Sequence, residues 1–405
     1  MLINRLITEV PGFALEIFRR YRDNDASPLA SYAGAALGQL VGKPEGRLLI
    51  SELLKESESA EALRLVAEAY GRQTPSERYI EEDVALLRQI FRSKEPSVLA
   101  LTGSVSHTVA KVDPPLAVDL ICDVDLRLAG RSVHEIFMWL SHENTIPAAS
   151  IDAGRLKLLV RKLVKLNRLD DYWVLKFLKR VMSIDPDAVS RMFLVRLRVA
   201  SMCKDWSYRP VEPQYLGDAA DAKSGGLGLL EKPGGERRLR HLLDNALRMV
   251  GSTHGIFEIG ELVAVLCGKF DQPLLEVLVD WMKQGGSDHV KVIAAVLGAA
   301  QNTLLYESPT FIRDVISAAE MVGEEAVGTM TSALIGATLS GGRSTTPGEP
   351  YNEDVRLRDY SKEMLAGLSR TDPAHEMFSV LLRAAEQGIE RQLREKEALD
   401  SEDEE

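Results

Sequence analysis

The sequence predicts an all-α fold, and three observations carry that reading. Apolar residues recur at helical spacing along nearly every segment, beginning with Leu29, Tyr32, Ala33, Ala36, Leu37 and Leu40. A capping residue followed by proline recurs at Ser27-Pro28, Asp113-Pro114, Asp185-Pro186, Ser308-Pro309 and Asp372-Pro373, with Glu95-Pro96-Ser97 as a looser instance. That pair suits the first two positions of a helix, where proline's missing N–H would be unpaired anyway. Strand signals are nearly absent, with no Asn-Gly hairpin turn between alternating runs.

Taken in order, the helices fall into close pairs. Residues 26–42 pair with 47–55, and 60–72 with 77–92. Later, 152–167 precedes 172–182 and 187–202. The unit is roughly 35–45 residues, the length of HEAT or armadillo repeats. The run Ser27–Leu40 is similar to a HEAT second helix, in which small residues let neighbours stack closely. The predicted architecture is a HEAT/armadillo-like α-solenoid of stacked helix pairs. No consensus repeats from unit to unit, and a pair of non-repetitive helical bundles would give similar text. At 405 residues the chain exceeds one ordinary core. An array should therefore show a radius of gyration clearly above the roughly 22 Å of a compact chain this long.

Two stretches interrupt the helices. Residues 207–236 hold Pro210, Pro213, Pro233 and six glycines, too long for a routine connection. They divide an N-terminal array (1–206) from a C-terminal array (237–399), as a linker or an ordered excursion. The second break is Ser340–Pro350, after which helix resumes at Asp354. A long charged helix over 374–399 precedes an acidic tail, 400–405, expected to be disordered.

Composition narrows the classes. The core must be built mainly of Leu, Val, Ile and Ala, because aromatics are only 6% of the chain. A net charge of −11 argues against coating nucleic acid or an anionic membrane as a whole. Cys122, Cys203 and Cys267 are far apart, odd in number and set in apolar runs, which fits buried thiols. The N-terminus lacks a signal-peptide core, and no run approaches the about 18 apolar residues of a membrane span. A cytosolic location without membrane contact is expected.

No set of residues converges on catalysis, and neither a cofactor nor a metal is expected. Gly341–Gly348 lacks the Gly-Lys-Ser/Thr core of a phosphate loop, and Gly226-Leu-Gly228 lacks the third glycine of a dinucleotide fingerprint. His134-Glu135 opens like a metalloprotease helix, but Met138 stands where the second histidine is required. Asp119, Asp123 and Asp125 form an acidic cluster, read as a solvated face rather than a cation site.

The basic stretch from Arg155 to Arg198 is the stronger signal. It holds twelve Lys and Arg against four Asp, a net +8 within an acidic protein. Leu156, Leu159, Val160 and Leu163 point one way on its first helix, while Lys157, Arg161, Lys165 and Arg168 stripe the flank. With Lys176, Lys179 and Arg180 they are the candidate binding residues, for an acidic protein surface or for phosphates. The competing reading is a solvated face whose long stems cover apolar surface.

The C-terminal third bears a likeness. Ser340-Gly-Gly-Arg-Ser-Thr-Thr-Pro-Gly-Glu-Pro350, then Glu353–Asp359, the amphipathic 372–399, Phe270–Leu278 and Tyr208–Leu230 resemble the C-terminal helical region of large bacterial STAND-type NTPases. In that family a NACHT-like ATPase module is followed by HEAT-like repeats that sense a trigger. The resemblance spans about residues 208–397 and implies a bacterial sensor or adaptor module. This chain has no phosphate loop and no Walker B strand, so the ATPase activity is not implied. The expected function is a non-enzymatic helical-repeat scaffold binding a protein partner; the alternative is a HEAT-like nucleic-acid binder using the 155–198 surface.

Overall fold

The computed structural model describes residues 11–21, 32–41, 43–56, 60–73, 79–202, 207–211, 226–248, 253–268, 270–300, 304–340 and 349–402. All regular structure among them is helical. The chain divides into two compact units, residues 1–196 with 207–222, and residues 197–206 with 223–405.

The first unit contains α1 (Pro11–Tyr21), α2 (Ala33–Gly38), α3 (Pro44–Glu56), α4 (Ala60–Arg72), α5 (Glu81–Phe91), α6 (Pro96–Leu99), α7 (Thr102–Ala110) and α8 (Pro114–Asp123). It continues with α9 (Ser132–Ser141), α10 (Ala153–Leu163), α11 (Tyr172–Ile184) and most of α12 (Pro186–Met202). Its helices alternate between two rows. In one, α2, α4, α7, α9 and α11 pack each on the next; in the other, α5 packs on α8 and α8 on α10.

Side-chain bonds along these rows recur at a nearly constant separation in sequence. Ser104 reaches the Gly71 carbonyl 33 residues away, Trp139 Nε1 the Gly103 carbonyl 36 away, and Arg155 reaches Asp119 36 away. His134 meets Asp171 37 residues on, and Lys162 the Val124 carbonyl 38 back. Small residues make the close approach feasible. A Cβ on Gly38 would stand 2.9 Å from the Ala69 carbonyl oxygen, and one on Gly71 2.8 Å from Ser104 Oγ.

The second unit contains α13 (Gly235–Leu247), α14 (Thr253–Cys267), α15 (Gln272–Met282), α16 (Ser287–Gly298), α17 (Leu304–Glu307), α18 (Pro309–Glu320), α19 (Glu324–Leu339), α20 (Asn352–Gly367) and α21 (Pro373–Glu402). Here α14 packs on α16 and α16 on α19, while α13, α15 and α18 follow one another; α20 and α21 form a hairpin. Trp281 Nε1 donates to Asp244 37 residues back. The hairpin is pinned by Gln392, which donates to the buried Asp354 and accepts from Tyr351 N–H.

Most of the proline-marked starts are real. Asp113, Asp185 and Asp372 each accept a backbone N–H at the head of α8, α12 and α21. Ser308 precedes α18 without capping it; its hydroxyl turns to Gln272 instead. Ser27-Pro28 lies outside the described residues, so the expected helix over 26–42 is seen as Ala33–Gly38. Both described ends of the 207–236 stretch are bonded to neighbouring segments. Arg209 N–H donates to the Asn167 carbonyl, and the amides of Leu227 and Leu229 donate to Val265 and Leu266 on α14. Gly226 takes a left-handed φ of 78°, where a Cβ would stand 2.5 Å from the Gly268 nitrogen. Residues 212–225 lie outside the described set, as do 341–348, the core of the second break. Helix α21 runs through residue 402, into the acidic tail.

Candidate functional site

Helix α10 is set by Asp152, whose carboxylate accepts from Gly154 and Arg155 N–H, and by a buried stripe of Leu156, Leu159, Val160 and Leu163. The sequence predicts helix to residue 167, but α10 ends at Leu163. Arg196 of α12, which is fully buried, sits at that end. Its guanidinium donates to the carbonyls of Leu163 at 2.7 Å and Leu166 at 2.6 Å, and to those of Arg209 and Pro210. An arginine on the last carbonyls of a helix stabilises its C-terminus. Tyr208 closes the arrangement, its ring beneath the guanidinium at 4.7 Å and its hydroxyl on the Val164 carbonyl.

This ending breaks the expected cationic stripe. Lys157 and Arg161 remain on α10, whereas Lys165 and Arg168 fall in the turns beyond it, exposed. Lys176 lies over the rings of Tyr172 and Trp173, at 5.6 and 5.0 Å. Lys179 stands half-buried on α11. Arg180 is committed to holding the loop after α9, donating to the carbonyls of Leu140 and Ile146 and to Glu143. It is a structural clamp with 14% of its side chain exposed.

Lys157 and Arg161 instead line a groove against α12. Its walls are Lys157, Val160, Arg161 and Val164 on one helix and Ala188, Arg191, Met192 and Val195 on the other, enclosing about 130 Å3. Both sets follow the same i, i+3, i+4, i+7 spacing, so two matched helical stripes face one trough. Val160 and Met192 form a buried floor, while Val195 is 40% exposed. Lys157, Arg161 and Arg191 are exposed and make no ion pair among the described residues. Arg191 belongs to the basic stretch but carries no signal of its own in the sequence. Its matched spacing with Arg161 across α10 and α12 is what could have singled it out.

The chemical-looking strings are taken up internally. Asp119 is gripped by Arg155 through two bonds of 2.6 and 2.7 Å. Asp123 pairs with Arg92, and Asp125 with Arg127 and Lys94. Arg127's hydrogen bond, against some desolvation, holds the Asp125 carboxyl down at about 2. His134 pairs with Asp171, the cap of α11, and His142 packs on Trp173. Among the described residues no group of His, Cys, Asp and Glu is arranged to hold a metal ion. Burial raises the Cys122 thiol to about 12 and the Cys267 thiol above its ordinary range; Cys203 lies outside the described residues. No described helix is long and apolar enough to cross a membrane.

In the second unit an open hollow of about 640 Å3 lies at the start of α13, with Lys232, Arg237, Arg240 and His241 among its walls. Acidic residues share those walls, and Arg240 is paired with Glu236 at 2.9 Å. Comparison of the chain with known protein families, curated proteins and solved structures finds no match.

Proposed function

We propose that this chain is a non-enzymatic helical-repeat scaffold of the HEAT type, a cytoplasmic α-solenoid module that holds a protein partner. The observation that carries the reading is the recurrence of side-chain bonds at separations of 33–38 residues along the rows of the first unit. Each repeat contacts its neighbours in such an array, and the surfaces between successive helices become binding faces. Sensor or adaptor duty beside STAND-type ATPases is the form of this role that the likeness of residues 208–397 implies.

Two features favour protein over nucleic acid. The groove floor is apolar, and Arg155, Lys162, Arg180 and Arg196 of the basic stretch are spent on internal carbonyls and carboxylates. The test is affinity capture by the full chain with chemical crosslinking, with and without nuclease, followed by reconstitution of the recovered pair from purified components. A protein recovered at fixed stoichiometry, holding at moderate salt, is the expected result. Nuclease-sensitive capture that weakens steeply with salt would turn the reading to nucleic acid.

A further inference from the structure

Resting on the scaffold reading, we propose that the α10–α12 groove binds a short amphipathic helix of the partner, bearing carboxylates on both sides of its apolar stripe.

The geometry selects a helix. Each wall presents four residues at i, i+3, i+4 and i+7, so each wall runs about 10 Å, two turns. Arg196, late in α12, bonds carbonyls at the end of α10, which sets the two stripes abreast. A trough between two helices whose own ridges are spaced this way accepts a third helix along it, with anchors at matching positions. Val160 and Met192 supply a dry floor, and Val164, Ala188 and Val195 leave apolar surface for those anchors.

The charges select its flanks. Lys157 and Arg161 stand one turn apart on one wall, and Arg191 stands on the other. Carboxylates at i and i+4 on one flank of the guest, and one on the opposite flank, would meet them. No carboxylate of this chain is paired with any of the three among the described residues, although Arg155 on the same helix holds Asp119 and Asp152. An oligonucleotide would satisfy the cations but leave the apolar floor without a partner.

The experiment is selection from a displayed library of 14-residue helical peptides. Apolar residues are fixed at i, i+3, i+4 and i+7, and flanking positions are left open to either charge. Selected peptides are then titrated by fluorescence anisotropy against the full chain. Enrichment of Asp and Glu on both flanks is expected. R161E should weaken binding at least fivefold and R161E/R191E at least twentyfold, with unchanged circular-dichroism melts. K165E, beyond the end of α10, should stay within twofold. Replacing the peptide's acids by Lys should restore binding to R161E/R191E, which guards against a misfolded variant. V195D should weaken both peptide versions.

No enrichment, enrichment without acidic flanks, or an equal loss with K165E would overturn the proposal. So would tighter binding of a 20-base-pair DNA duplex, or of a second copy of the chain, than of the selected peptide. A reconstituted protein partner that R161E/R191E still binds in full would sink the groove while the scaffold reading stands. A chain that selects acidic helices but recovers no protein partner would keep the groove and sink the scaffold reading.

Discussion

On the α8 side of α10, Arg155 grips Asp119 with two bonds and Lys162 donates to the Val124 carbonyl at 2.5 Å. On the α12 side of the same helix, Lys157 and Arg161 meet Arg191 across valine and methionine. Arg155 and Lys162 are seven residues apart, two turns, and so share one edge; Lys157 and Arg161, one turn apart, share another. Both edges carry the same formal charge, so charge count does not distinguish them. What differs is the facing helix: α8 and its C-cap supply the Asp119 carboxylate and the Val124 carbonyl, whereas α12 supplies a third cation. The first edge consumes its charge in packing, and the second leaves it for an outside partner. In the hollow at the start of α13, Arg240 is likewise already paired.

The largest expected effect comes from Arg196, which bonds the carbonyls at the end of α10, where both edges stop. Arg196→Leu removes a buried charge and strips the guanidinium from the carbonyls of Leu163, Leu166, Arg209 and Pro210, of which Leu163 keeps the Leu166 amide. A loss of about 3–5 kcal/mol is expected, because several buried carbonyls, at about 1–3 kcal/mol each, lose a donor. Urea unfolding followed by circular dichroism measures it, and protease sensitivity at 207–211 should rise. A loss under about 1 kcal/mol would mean that the carbonyls find water.

Next comes the comparison itself, in two single substitutions. Arg155→Ala should cost about 1–2 kcal/mol, because it breaks a bidentate, partly buried pair. Arg161→Ala should cost less than about 0.5 kcal/mol, as an exposed cation without a partner does. Binding of the selected acidic helix should show the reverse order, falling with Arg161→Ala and holding with Arg155→Ala. Equal urea midpoints for the two variants would erase the distinction between the edges.

The sequence made one half of this legible. Aspartate–proline caps placed the starts of α8, α12 and α21, and periodicity that of α10, because local spacing and a capping carboxylate act within one helix turn. The basic stretch was visible as a count. Its division was not, since it depends on Asp119, Leu140 and Asn167, which lie 36, 40 and 29 residues from the arginines that hold them or their carbonyls. Arg180 and Arg196 look like surface cations in the sequence, and become structural only because backbone carbonyls from distant loops converge on them. The stripe from Lys157 to Arg168 assumed an unbroken helix, whereas α10 ends at Leu163, whose carbonyl Arg196 holds from 33 positions beyond. The acidic cluster was read as a solvated face, yet each of its three carboxylates is matched by an arginine from another position.

A smaller effect tests how dry the α8 edge is. Burial lifts the Cys122 thiol to about 12, with Lys162 opposing, and its Sγ lies 3.9 Å from the Arg155 carbonyl. In a C203S/C267S background, Cys122 should react slowly with a disulfide reagent at pH 8 in the folded chain, and promptly in urea. The sign for stability follows from a folded value above the unfolded value of about 8.5. The contribution is complete below that pH and is lost as pH rises toward 12. Prompt reaction in the folded chain would mean that the seam opens to solvent and that its ion pairs are weaker than their geometry suggests.

The smallest effect belongs to Asp125, just past the end of α8. Arg127's side chain and amide, with Lys94, hold its carboxyl at about 2 against desolvation, below the about 3.9 of an unfolded chain. The folded state then binds fewer protons between those values. Its stabilisation is present above about pH 4 and is lost as pH falls toward 2. The pair is near the surface, so the whole contribution should stay within about 1 kcal/mol. Asp125→Asn should therefore lower the urea midpoint slightly at pH 6 and flatten its fall between pH 4 and 3. Arg161→Gln should leave that slope untouched, because no carboxylate faces Arg161 among the described residues. If Arg161→Gln flattened the slope as much as Asp125→Asn, the groove cation would have an acidic partner after all. The two edges of α10 would then differ only in degree.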